Sequence, residues 1–155
     1  MEMPILDLDL HKHQDKLKVK KEGDQTYIWD IFRKKYIVLQ PEELVRQLVA
    51  LYFIHDKAYP QAYIQLERGL KVDKMAKRFD MIIRDKEVSP FMLVECKSFK
   101  TKLKQETFDQ VSHYNTQIKA PYILITNGRQ TLCAHIDQES STYRFVDIPD
   151  YPYSS

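Results

Sequence analysis

The stretch Phe91-Met92-Leu93-Val94-Glu95-Cys96-Lys97 limits what this chain can fold into more than any other. A continuous apolar run of this length, opened by Ser89-Pro90, predicts a strand buried on both faces. Such a strand should avoid charge, yet this one places a carboxylate and an ammonium two residues apart. Side chains alternate along a strand, so Glu95 and Lys97 share one face and Cys96 takes the other. Both charged heads must then reach a partner, a metal or a wet cleft. Two readings stay open on these residues alone: a Glu–Lys ion pair at a frayed strand end, and a functional site.

Arg78-Phe79-Asp80-Met81-Ile82-Ile83 predicts a second strand, with Phe79, Met81 and Ile83 on one face and Asp80 on the other. The link from Arg84 to Pro90 is short, polar and ends in proline, which suits antiparallel neighbours. That pairing can bring Asp80, Glu95 and Lys97 to one end and one face of the ribbon. Two carboxylates so placed repel unless a cation lies between them, and an incomplete set of oxygen ligands suits Mg²⁺ or Mn²⁺. A lysine beside such a metal can orient or deprotonate an attacking water and stabilise a phosphorane-like transition state. Alternation turns Arg78 away from Asp80, so it is either a sheet-surface arginine or a phosphate contact.

The 155 residues fit one domain, long enough to bury a core without disulfide or metal staples. Cys96 and Cys133 lie in apolar runs without CxxC spacing, as expected of buried free thiols in a reducing compartment. No apolar run is long enough to span a bilayer and no signal-peptide core follows the N-terminus, so the expected location is the cytoplasm. A net charge of +2 excludes a generally basic nucleic-acid coat, leaving local clusters to neutralise phosphates. Lys12, Lys16, Lys18, Lys20 and Lys21 form one cluster, read as a solvated surface. Lys97, Lys100, Lys102 and Lys104 form the other, beside the proposed metal, where substrate contact is the better reading.

Residues 1–13 read as a loosely held arm. Lys16–Lys20 predicts a short, lysine-protected edge strand, Thr26–Ile31 a second strand and Arg33–Leu39 a further extended segment. Gln40-Pro41-Glu42-Glu43 opens a helix that runs to about His55, with Leu44, Val45, Leu48, Leu51 and Tyr52 on one stripe. Ala62–Glu67 predicts the first core strand, broken at Gly69, and Lys74–Lys77 a tight turn. Gln105–Lys119 reads as an amphipathic helix through Phe108, Val111, Tyr114 and Ile118, with Gln110 and Tyr114 one turn apart. Pro121–Thr126, the Asn127-Gly128 turn and Gln130–Ile136 predict a hairpin, followed by a strand-like run at Tyr143–Ile148. The proline–tyrosine end has no assigned use. Neither a P-loop, nor zinc spacing, nor a nucleophile elbow occurs.

Asp80 with Glu95-Cys96-Lys97 resembles the Asp…Glu-x-Lys signature of the PD-(D/E)XK nuclease superfamily. Gln110-Val111-Ser112-His113-Tyr114 resembles the Gln-x-x-x-Tyr motif of its RecB-like branch, and Pro41–Arg46 the start of its first core helix. Lys77–Asp80, Val94–Lys97, Ala120-Pro121-Tyr122 and Thr126-Asn127-Gly128 together resemble the N-terminal nuclease domain of type I restriction enzyme R subunits, from Arg33 to Asp137.

The resemblance implies an α/β fold with a restriction-endonuclease-like core. That core is a central mixed β-sheet flanked by helices in αβββαβ order, here with an N-terminal β addition. The expected divisions are 1–32 for the arm and addition, 33–140 for the core and 141–155 for a last strand and tail. The implied activity is Mg²⁺- or Mn²⁺-dependent hydrolysis of DNA. Asp80 and Glu95 would hold the metal, with the Cys96 carbonyl and Glu43 as further ligands. Lys97 would act on water, and Gln110 would orient Lys97 or a phosphate. Arg78, Lys100, Lys102, Lys104 and Tyr114 are the expected nucleic-acid contacts. Partners expected are DNA and either a second copy of the chain or a separate motor or specificity protein. In R subunits a helicase motor follows this domain; here a stand-alone nuclease or an accessory protein stays open. Two alternatives remain: a catalytically weak nucleic-acid-binding or protein-interaction module, and a structural cluster in which Lys97 saturates Glu95 and Asp80.

Overall fold

The computed structural model describes residues 3–66 and 80–153. The N-terminal part is a three-stranded antiparallel sheet of β1 (Val19–Glu22), β2 (Gln25–Asp30) and β3 (Lys35–Val38). Helix α1 (Pro41–Leu51) follows, opened by proline in its first turn and by Glu42 and Glu43 at the positive end of its dipole. Its last turn widens into a π-helical turn over Tyr52–Asp56, so the apolar stripe reaches His55 as the spacing predicts.

The main sheet has six strands in the order β4-β5-β6-β7-β8-β9. These are β4 (Ile64–Leu66), β5 (Met81–Arg84), β6 (Pro90–Cys96), β7 (Tyr122–Thr126), β8 (Thr131–Asp137) and β9 (Thr142–Phe145). Among the described residues only β6 and β7 are parallel, joined through helix α2 (Gln105–Ile118); every other pair is antiparallel. This is the mixed sheet flanked by helices that a restriction-endonuclease-like fold requires.

Strand alternation sorts the core into two layers. Met81, Ile83, Met92, Val94 and Cys96 pack with Val45, Leu48 and Val49 of α1. Ile82 and Leu93 pack on the opposite side with Phe108, Val111 and Tyr114 of α2. β6 is thus covered on both faces, as its unbroken apolar sequence demands. Asn127-Gly128 closes the turn from β7 to β8. The Asn127 side-chain oxygen accepts from the Arg129 and Gln130 amides at 2.9 and 2.8 Å. Gly128 has φ +91°, and a Cβ there would meet Val45 at 3.2 Å, so glycine lets this turn close against α1.

Two expectations are corrected. The N-terminal arm is not loosely held: Leu6 pairs with Thr131, and a 3₁₀ helix over Leu10–Lys16 buries Leu10 and His13. Apolar side chains at Leu6, Leu8 and Leu10 supply the anchor that the absence of a clear period hid. The proline–tyrosine end is part of the fold. Tyr151 is buried and donates to the Arg84 carbonyl at 2.6 Å, while Tyr59 donates to the Pro149 carbonyl at 2.5 Å. Cys96 and Cys133 are free and buried, as expected. The segment from Glu67 to Phe79, which includes the Gly69 break, the Lys74–Lys77 turn and Arg78, lies outside the described residues.

Candidate active site

The register of β5 against β6 builds the site. Met81 pairs with Val94, so the next residues outward, Asp80 and Glu95, face one another across the ladder. Asp80 is buried at 8% exposure, and its Oδ2 accepts the Cys96 backbone N–H at 2.7 Å. The hairpin between them, turned at Asp85–Ser89, is what fixes this register.

The other Asp80 oxygen is held from the α1 side. Arg46 Nη2 donates to Asp80 Oδ1 at 2.5 Å, and Arg46 Nη1 donates to Glu43 Oε2. Gln47 Nε2 donates to Glu43 Oε1 at 3.2 Å, so both oxygens of this buried glutamate are engaged. Burial works against the Arg46 charge, but Asp80 and Glu43 outweigh it and push its pKa above the ordinary arginine value. One guanidinium therefore bridges two buried carboxylates, one on the helix and one at the strand end.

Glu95 is partly buried, and its carboxyl is pushed well above the usual carboxylate range. Burial is the largest cause, followed by its hydrogen bond with Asp80 and the Asp80 charge; Lys97 opposes them. Lys97 is half-buried just beyond β6, its backbone N–H donating to the Thr126 carbonyl at 2.8 Å. Among the described residues it makes no direct ion pair with Glu95 or Asp80. The reading in which Lys97 saturates both carboxylates is thus corrected: Arg46 compensates Asp80, and Lys97 acts on Glu95 only through its charge.

The raised Glu95 pKa has a consequence for stability. Folding leaves Glu95 protonated over a pH range in which the unfolded chain has lost that proton, so the folded state binds more protons. Stability without metal should then fall as pH rises from the ordinary glutamate range towards the raised native value. Urea midpoints across that window, in chelator, should slope downward for the wild type and less steeply for Glu95→Gln. Parallel slopes would contradict the geometry.

The other expected residues are dispersed. The Cys96 side chain lies in the α1-side core and burial pushes its thiol pKa up, leaving its backbone as the part near Asp80. Gln110 is exposed on α2 and forms no side-chain hydrogen bond among the described residues, so nothing here joins it to Lys97. Tyr114 is buried in the α2-side core. Lys104 is exposed immediately before α2. Lys100 and Lys102 line an open groove of about 480 Å³ with Phe99, Asn127 and Arg129. That groove starts two residues past Lys97 and one past Thr126, at the ends of the parallel strands, where α/β sheets place ligands.

Sequence reasoning missed Arg46 and Arg129. Arg46 had a signal in the Glu43-x-x-Arg46 spacing, which puts both on one helix face. Arg129, with Phe99 5.8 Å from its guanidinium, follows the Asn-Gly turn and had none.

The donor chemistry fits a hard divalent cation. Asp80 and Glu95 offer carboxylate oxygens that face each other, in surroundings that disfavour two bare negative charges. As they stand, no three His, Cys, Asp or Glu side chains among the described residues are grouped to hold a metal. Two protein carboxylates with water completing the shell is the arrangement Mg²⁺ commonly takes. The family of the type I restriction enzyme R protein N terminus matches residues 41–152. No curated protein matches the chain.

Proposed function

The chain belongs to the family of type I restriction enzyme R protein N termini, and on that premise we propose that it is a Mg²⁺- or Mn²⁺-dependent nuclease that hydrolyses DNA phosphodiester bonds. The observation that carries this reading is the meeting of Asp80 and Glu95 with the Lys97 charge beside them.

Asp80 and Glu95 are the residues that would hold the metal, with the Cys96 carbonyl within the same strand end, while Glu43, whose oxygens accept from Arg46 and Gln47, stands outside that pair. When bound, a divalent cation supplies Lewis-acid stabilisation of charge on the phosphoryl oxygens and lowers the pKa of water. Lys97 positions the attacking water and offsets negative charge that builds on the phosphoryl group. Lys100, Lys102 and Arg129 line a groove in which a sugar–phosphate backbone is neutralised next to that water. Gln47 holds Glu43, Glu43 holds Arg46, and Arg46 keeps Asp80 oriented towards β6 until a cation takes its place.

The test is nicking of supercoiled plasmid and of single-stranded DNA in Mg²⁺, Mn²⁺ or chelator. Cleavage with either metal and none in chelator is the expected result; chelator-resistant cleavage would overturn the reading. A catalytically weak nucleic-acid-binding module is favoured by one observation, the Arg46 guanidinium already neutralising Asp80. DNA binding without metal-dependent cleavage of any substrate would establish that second reading instead.

A further inference from the structure

The N-terminal sheet lies entirely before Pro41, where the family match begins, and the nuclease reading gives it no work. Its two faces differ. Ile28 and Asp30 are fully buried on the inner face, and Asp30 pairs with Arg33 at 3.2 Å. On the outer face the register sets Lys20 beside Tyr27, Tyr27 beside Val38, and Trp29 beside Tyr36. The Trp29 amide donates to the Lys18 carbonyl at 2.8 Å, which adds Lys18 to the same row.

The result is a lattice of aromatic rings and ammonium groups. Lys18 Nζ lies 6.0 Å from the Trp29 ring centre and Lys20 Nζ 4.2 Å from that of Tyr36. The two rings meet edge to face at 5.1 Å. Tyr36 and Val38 are 37% and 40% exposed, although each sits in a strand that could have turned polar residues outward. An exposed Tyr36 and Val38 gathered on one face with the half-buried rings of Tyr27 and Trp29 mark a contact surface rather than a solvated one.

Charge selects the partner. Residues 16–38 contain seven Lys or Arg and three Asp or Glu, a net +4, whereas the whole chain carries +2. The remainder of the molecule is therefore net negative, and the excess positive charge lies on these strands together with their flanks and turns. The opposing Glu22 pairs with Lys20 at 3.0 Å, but both are solvent-exposed and such pairs contribute little. Aromatic faces separated by lysines match a polyanion that also presents flat π-surfaces, which is an unpaired nucleic-acid strand. A duplex hides its base faces, and an acidic peptide has none to stack.

We propose that the outer face of β1–β3 binds single-stranded nucleic acid, with bases stacking on Trp29 and Tyr36 and phosphates neutralised by Lys18 and Lys20. This surface is separate from the groove beside Lys97 and does not depend on the nuclease reading.

Trp29 is the only tryptophan in the chain, so its fluorescence reports on this face alone. The full chain is titrated with oligo(dT) in chelator, where metal-dependent cleavage is absent. Saturable quenching that weakens with added salt is expected. Tyr36→Ala should weaken binding about tenfold, Tyr36→Phe should restore it, and Lys18→Gln with Lys20→Gln should lower the salt dependence. Circular dichroism checks that each variant is folded. No quenching by oligo(dT) would overturn the proposal. So would binding that ignores Tyr36→Ala and the lysine changes but is lost in Lys100→Gln/Lys102→Gln, because the groove would then be the site. Poly-glutamate or a blunt duplex binding as tightly as oligo(dT) would also overturn it.

Discussion

Lys97→Ala is expected to leave Mg²⁺ affinity unchanged while slowing DNA cleavage by about a hundredfold or more, the usual loss for a positioned group acting on water or the transition state. Glu95→Ala is expected to lose both. The distinction follows from where the two side chains stand. Glu95 contacts Asp80, so its removal takes away a ligand and leaves one carboxylate to hold a dication. Lys97 touches neither carboxylate directly, so its removal spares the ligands and deletes only the charge beside them. Calorimetric Mg²⁺ titration and nicking rates on the same preparations separate the two effects. Cleavage that survives both substitutions would place the chemistry elsewhere in the chain.

Arg46→Gln should destabilise the protein in chelator by about 3 kcal/mol, because removing one member of a buried ion cluster strands the others. Asp80 and Glu43 are both buried, and Arg46 itself is 16% exposed, so solvent screens the loss poorly. A divalent cation can take over part of that compensation. Mg²⁺ should therefore raise the denaturant midpoint of Arg46→Gln by more than that of the wild type, where Arg46 competes for Asp80. Ligand at a hundredfold excess over its Kd adds about 2.7 kcal/mol when only the native state binds it. An equal Mg²⁺ increment in both proteins would mean that Arg46 and the metal do not share Asp80. The measurement reads stability alone and stands whether or not cleavage is observed.

The parts of the site legible in the sequence were those set by strand periodicity. Glu95 and Lys97 two apart in an apolar run, and a hairpin-length link to Asp80, were enough to place Asp80 opposite Glu95 in the observed register. The amphipathic stripes of α1 and α2 were legible for the same reason, since buried Val45, Leu48, Phe108 and Val111 recur at helical spacing. What stayed hidden depends on contacts between elements far apart in the chain. Arg46 reaches Asp80 across 34 positions, and nothing local distinguishes it from a surface arginine. Tyr151 and Tyr59 close the C-terminal end onto the core through hydrogen bonds to carbonyls some 70 to 90 positions away. The N-terminal lysines read as solvated surface until the register placed Lys18 and Lys20 over Trp29 and Tyr36. Gln110, the motif position expected to orient Lys97 or a phosphate, is exposed on α2.

The proposed site requires that Asp80 and Glu95 share one divalent cation. Crystals soaked in Mn²⁺ and recorded at its absorption edge test it most directly. The expected result is an anomalous peak between the two carboxylates, at the oxygen–metal distances of about 2.0–2.2 Å typical of small divalent ions, with Arg46 moved off Asp80. A fully occupied peak that touches neither residue, or none at saturating Mn²⁺ with Arg46 still on Asp80, would contradict it.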